Sequence, residues 1–164
     1  MKAIVFGATG AVGRTLVPQL VESDKWSTVL CVARNEPEEW KQYLSKGKLQ
    51  VQVEKDMDRL FKTEEWVFNG YDAIFVCFGS QVKHGEETFV KVDKTYPLLC
   101  ADIAIKNKIP HYLLVSSTGG DTSSMLLYLR TKGEVERDLK LKKLQMLSIL
   151  KPGLIKNRPD ARFG

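Results

Sequence analysis

Two rhythms of apolar residues alternate along this chain. Short apolar runs of strand character recur at residues 1–6 (MKAIVF), 27–33 (STVLCVA), 72–78 (DAIFVCF) and 112–116 (YLLVS), with a last one at Met146–Leu150. In Leu49–Val53, Leu49, Val51 and Val53 alternate with Gln50 and Gln52, which predicts a half-buried strand. The continuous run at 72–78 is what a central parallel strand needs when helices cover both its faces. Between these runs the spacing turns helical. Val12, Leu16, Val17, Leu20 and Val21 place one apolar face on a helix from 14 to 22. Leu98, Leu99, Asp102, Ile103 and Ile105 are in register for a partly buried stripe on a helix at 96–108. The longest helix is expected at 124–143, with Gly133 in its interior and Asp121, Thr122 and Ser123 as candidate N-caps. Strand and helix in alternation predict an α/β fold, a doubly wound parallel sheet of Rossmann type with right-handed crossovers and strand order 3-2-1-4-5-6.

Composition narrows this picture only a little. At 164 residues, 43% hydrophobic and 27% charged, the chain is expected to be one domain with a real core. The net charge of +5 is modest, and lysines such as those in Lys140-Leu141-Lys142-Lys143 suit a solvated helix face. No recognised basic-aromatic module is present, so nucleic acid is not an expected partner. Cys31, Cys77 and Cys100 are odd in number and widely spaced in apolar surroundings, against a disulfide framework or a zinc site. No apolar run approaches the ~20 residues that span a bilayer, so no transmembrane segment is expected. With a strand beginning at residue 2 and no signal peptide visible, a cytoplasmic location is the default expectation, with the nucleus or peripheral membrane association as alternatives.

The chemistry begins immediately after the first strand. Gly7-Ala8-Thr9-Gly10-Ala11-Val12-Gly13 is a G-x-x-G-x-x-G loop between a strand and a helix. Glycines permit a tight turn and close backbone approach, and the helix N-terminus offers free N–H groups to a pyrophosphate. Gly7, Thr9, Gly10, Ala11, Val12 and Gly13 are therefore candidate cofactor ligands. A glycine-rich turn without a ligand is the alternative.

The end of the second strand discriminates between dinucleotides. An acidic residue there suits the adenosine 2′-hydroxyl of NAD, and an arginine suits the 2′-phosphate of NADP. Arg34 stands about 20 residues beyond Gly13, and no carboxylate occupies the strand end. NADP(H) is therefore favoured over NAD(H); Arg34 merely capping the strand is the alternative. After the third strand, Asp56 offers an acceptor for an adenine amino group and Met57 a surface for the ring, unless Asp56 is only a turn residue. Cys77, Phe78 and Gly79 end the fourth strand, and the glycine lets a ribose approach the backbone.

A second constellation follows the fifth strand. Ser116 and Ser117 end it, and Tyr128 and Lys132 lie four apart on one face of the next helix. An ammonium beside a phenol favours the phenolate, and such a phenol exchanges a proton with a carbonyl oxygen. A tyrosine packed on the core beside a solvated lysine is the alternative.

These residues together resemble a family. The GATGAVG loop, the Ser117, Tyr128 and Lys132 set and Lys151-Pro152-Gly153 are similar to atypical short-chain dehydrogenase/reductases. Residues 89–93 (FVKVD) and 116–136 (SSTGGDTSSMLLYLRTKGEVE) resemble in particular the HIV Tat-interactive-protein type oxidoreductases. The resemblance spans essentially the whole chain. It implies an NADP(H)-binding Rossmann domain with Tyr128 as general acid/base, Lys132 as its partner and ribose ligand, and Ser117 as carbonyl orienter, with Ser116 as the alternate serine. Asp93 stands where dehydrogenases of this superfamily often carry a relay asparagine. Members of the family also continue past the Pro-Gly motif, so a single NAD(P)-binding domain at 1–164, with a truncated substrate region after about 153, is expected.

Two functions fit these residues. One is an NADP(H)-dependent reductase of a small carbonyl or related substrate. The other is a regulatory module that binds the dinucleotide and offers a surface to protein partners.

Overall fold

A computed structural model describes residues 1–63, 68–153 and 155. Six strands, β1 (Lys2–Phe6), β2 (Thr28–Ala33), β3 (Leu49–Val53), β4 (Ala73–Val76), β5 (His111–Val115) and β6 (Met146–Leu150), form one parallel sheet in the order β3-β2-β1-β4-β5-β6. The order reverses between β1 and β4, and the crevice above that reversal is where doubly wound sheets take their ligands. The turn-rich stretch at 157–164 lies outside the described residues.

Strand alternation sorts the core into two layers. Ile4, Phe6, Leu30, Val32, Ile74, Val76, Tyr112 and Leu114 point to one face, against the helices α3 (Met57–Lys62), α5 (Tyr96–Lys106) and α6 (Leu127–Leu141). Ala3, Val5, Val29 and Cys31 point to the other, against Trp40 and the Val17, Leu20 and Val21 stripe of α1 (Gly13–Glu22). A further single turn, α2 (Lys41–Leu44), leads into β3. Both faces of β1 and β4 are covered, which accounts for their unbroken apolar sequences.

The helices depart from the sequence expectation more than the strands do. The segment expected at 96–108 begins ten residues earlier: α4 (Glu86–Val90) runs through a wide π turn (Lys91–Thr95) into α5. Pro97 is the local cause, because it has no N–H to return to the Asp93 carbonyl, and the turn opens there. The buried stripe of α5 is Pro97, Cys100, Ala101 and Ala104, small residues that let the helix lie close to the sheet. Asp102 and Ile105 face solvent, and Asp102 pairs with Lys142. The longest helix is Leu127–Leu141 rather than 124–143. Its N-cap is Leu126 without a side-chain bond, while Asp121 instead accepts from the Ser123 amide and hydroxyl in the preceding turn. Gly133 is required inside this helix, since a Cβ there would come within 2.5 Å of the Asp121 carbonyl carbon.

Burial also sets how the fold responds to alkali. It pushes the Cys31 and Cys77 thiols up from 9.0 to about 12. The Tyr96 phenol rises from 10.0 to about 12 through burial and its bond to Asp58. Each folded-state value lies above the unfolded one, so the folded chain holds these protons more tightly. The associated stability is complete below pH 9 and is lost as pH rises toward 12. Melting temperature is expected to fall steadily across that interval in a pH series of thermal melts; a flat profile would contradict the buried-thiol core.

Candidate functional site

The parallel sheet gathers the predicted residues at one edge. Gly7, Arg34, Asp56, Cys77, Ser117 and Lys151 all follow the C-terminal ends of their strands. The glycine loop is built for close approach. Gly7 has φ +71°, and a Cβ on it would stand 2.6 Å from the Cys77 carbonyl carbon and 2.7 Å from the Phe78 nitrogen. A Cβ on Gly13 would meet the Ala8 Cα at 2.6 Å, so only glycine lets α1 start against β1. The Gly10 amide closes the turn on the Gly7 carbonyl at 3.1 Å. Val12 caps α1 without a side-chain bond, and no acceptor among the described residues takes the Ala11 or Val12 amide. Unpartnered donors at a helix start, beside a turn that admits no Cβ, fit an anionic pyrophosphate.

Toward β3 the site becomes basic and aromatic. Arg34 is exposed and makes no hydrogen bond or ion pair with any described residue. Arg14, on the first turn of α1, lies 3.7 Å from Glu39. Asp56 is the N-cap of α3, and its Oδ1 accepts from the Asp58 and Arg59 amides at 2.9 and 3.1 Å, which leaves Oδ2 for other donors. Met57, like Phe61 and Phe78, is partly buried against the core. The Phe78 ring lies 6.0 Å from Phe6 and 5.7 Å from Tyr96. Asp58 takes the Lys91 ammonium at 2.5 Å and the Tyr96 hydroxyl at 2.9 Å, and those bonds hold its carboxyl below the usual range. Gly79 is exposed just beyond, whereas the Cys77 side chain is buried, so Cys77 offers this edge only its backbone.

Toward β5 the site is ionic and deeply buried. Ser116 is buried and gives its hydroxyl to Glu136 Oε1 at 2.6 Å. Ser117 is half-buried, and among the described residues its hydroxyl bonds only the Thr118 carbonyl, at 3.3 Å, so it is the freer of the two. Tyr128 and Lys132 share a stripe of α6, and the Lys132 ammonium sits 5.9 Å from the Tyr128 ring centroid. That ammonium does not stand in solvent: Lys132 is 5% exposed and pairs with Asp93 at 2.8 Å. Asp93 is 2% exposed, and its second oxygen accepts from the Ser80 amide at 2.8 Å. The Tyr128 ring rests against Phe89 of α4, centroids 5.7 Å apart.

Two features of this edge escape a reading of the sequence. Phe89 belongs to a helix that the apolar spacing does not announce. Glu136 lies one turn beyond Lys132 on the same stripe, and a spacing of four carried past Lys132 would have reached it. Its Oε2 takes Lys151 at 2.5 Å, so Glu136 ties the ends of β5 and β6 to α6. Among the described residues no cluster of His, Cys, Asp and Glu could hold a metal ion, and no helix is long and apolar enough to cross a membrane.

The chain is similar to known proteins in sequence and fold. Residues 7–164 match the family described as NAD(P)H-binding. Protein HTATIP2 of Rattus norvegicus is 32% identical over 98% of this chain and 65% of its own length. The mitochondrial protein FMP52 of Debaryomyces hansenii is 32% identical over 94% of this chain and 67% of its own. A short-chain dehydrogenase/reductase of Saccharomyces cerevisiae superposes with a TM-score of 0.70 at 16% identity, over 94% of this chain and 71% of that one, and shares the fold. The chain thus spans about two thirds of the length of these relatives. The expectation of a cytoplasmic location is overturned here, because several fungal relatives carry the name FMP52, mitochondrial.

Proposed function

The chain belongs to the NAD(P)H-binding family, and from that premise we propose that it is an NADP(H)-dependent oxidoreductase acting on a small carbonyl or related substrate. The observation that carries this reading is the pairing, at one sheet edge, of a glycine turn that admits no side chain with the Ser117, Tyr128 and Lys132 set. The Ala11 and Val12 amides receive the pyrophosphate, and Gly7, Thr9, Gly10 and Gly13 shape the turn around it. Arg34, exposed and unclaimed at the end of β2, receives a 2′-phosphate, which favours NADP(H) over NAD(H). Oδ2 of Asp56, Met57 and the backbone at Cys77, Phe78 and Gly79 border the adenosine and its ribose. When bound, the dinucleotide supplies the hydride. Ser117 donates a hydrogen bond to the substrate oxygen, and Tyr128 passes its phenolic proton to that oxygen as negative charge develops. Lys132 holds the ribose and keeps positive charge beside the phenol. The names of the fungal relatives favour a mitochondrial location.

One observation favours a second reading. The Lys132 ammonium is already paired with Asp93, which lowers the positive charge available to Tyr128. A cofactor-sensing module with little catalysis, offering a surface to protein partners, fits that arrangement. An assay of NADPH consumption with aldehydes, ketones and quinones, run beside a binding titration, separates the two. Turnover supports the enzyme, binding without turnover supports the sensor, and failure to bind any dinucleotide removes both.

A further inference from the structure

Resting on the dinucleotide reading above, we propose that Asp93 is a positioning residue that sets the nicotinamide-ribose half of the site by accepting from Lys132 and Ser80 at once. Three elements meet at this one carboxylate. Lys132 comes from α6, which follows β5; Ser80 comes from the loop after β4; Asp93 comes from the π turn before α5. In a doubly wound sheet the strands beyond the reversal serve the second mononucleotide, so Lys132 and Ser80 both belong to the nicotinamide side. The adenosine side is built separately, from the ends of β2 and β3.

The wide turn is what delivers the carboxylate. Pro97 withholds an N–H from the Asp93 carbonyl, the helix opens at Lys91–Thr95, and Asp93 is the buried residue of that turn. Wide turns of this kind recur at functional sites. Its chemistry is specific as well. Two donors face Asp93, one on each oxygen, both at 2.8 Å. A carboxylate answers both. An asparagine presents one acceptor oxygen and one NH2 group, so either Lys132 or Ser80 would face a donor instead. The residue that superficially matches the relay asparagine of related dehydrogenases therefore has a different task here: it fixes the Lys132 ammonium and the β4-end backbone in one geometry.

The test compares whole and half ligands on the full chain. Adenosine 2′,5′-bisphosphate fills only the adenosine side, whereas NADPH fills both. In Asp93→Asn, NADPH affinity is expected to fall about tenfold or more, while adenosine 2′,5′-bisphosphate affinity stays within about twofold of the wild type. Equal losses of both ligands, which a merely structural role would give, overturn the proposal, and so does unchanged NADPH affinity. If Asp93→Asn does not fold, Asp93→Glu keeps a charge partner for Lys132 and carries the same comparison, with the same two outcomes against it. A wild-type chain that binds neither ligand overturns the dinucleotide reading itself, and this proposal with it. A wild-type chain that binds both while the variants keep their NADPH affinity overturns the proposal alone.

Discussion

Tyr128→Phe is expected to lower turnover by about 10²–10⁴-fold, the usual contribution of a positioned proton donor, while NADPH affinity stays near that of the wild type. The substitution removes one oxygen and leaves the ring. Contact with Phe89, at 5.7 Å between centroids, survives, and so does the cation–ring approach of Lys132 at 5.9 Å. Stability and cofactor binding therefore have no reason to change much. Steady-state rates on the most active carbonyl, read beside a fluorescence titration, check both halves of the statement. Turnover that survives the substitution would remove Tyr128 from the chemistry, and lost affinity would show that the hydroxyl holds cofactor rather than moving a proton.

Lys132→Met carries the largest expected effect on the fold. Asp93 is 2% exposed, and the substitution leaves its carboxylate with the Ser80 amide as its remaining partner in the described contacts. Breaking a buried ion pair from one side costs about 3–5 kcal/mol, because the surviving charge stays desolvated. For a chain of this size that is a fall in melting temperature on the order of 10 °C. The double variant Lys132→Met with Asp93→Asn removes both charges and is expected to recover a large part of the loss. A thermodynamic cycle across the four proteins measures the coupling. Lys132→Met melting within about 2 °C of wild type would show that the pair is not desolvated in solution.

How much of this was readable from the sequence depends on what each residue needs. The sheet was legible because period-two and continuous apolar patterns state burial directly, and all six strands lie within two residues of their apolar runs. The glycine loop was legible because its requirement is steric, and no residue but glycine fits at Gly7 or Gly13. The helix beginning at Glu86 was hidden, since α4 buries Phe89 alone and the next inward position, in the π turn, is Asp93, whose charge breaks the apolar period. The partner that makes that burial tolerable, Lys132, is distant in sequence. Glu136 was hidden for the same reason, its partners Ser116 and Lys151 being brought to it by two separate strands. Spacing on α6 correctly put Tyr128 and Lys132 on one face, but it could not show that the ammonium points to Asp93. Gly133 reads as a weakness in a helix until the Asp121 backbone is seen packed against it.

Fluorescence titration of the wild-type chain and Arg34→Ala with NADPH and NADH, at fixed ionic strength, decides the proposal that Arg34 receives the 2′-phosphate of NADP(H). The wild type is expected to prefer NADPH by about tenfold or more, and Arg34→Ala to erase that preference with little change for NADH. Equal affinities for the two dinucleotides in the wild type, or an undiminished preference in Arg34→Ala, would contradict it.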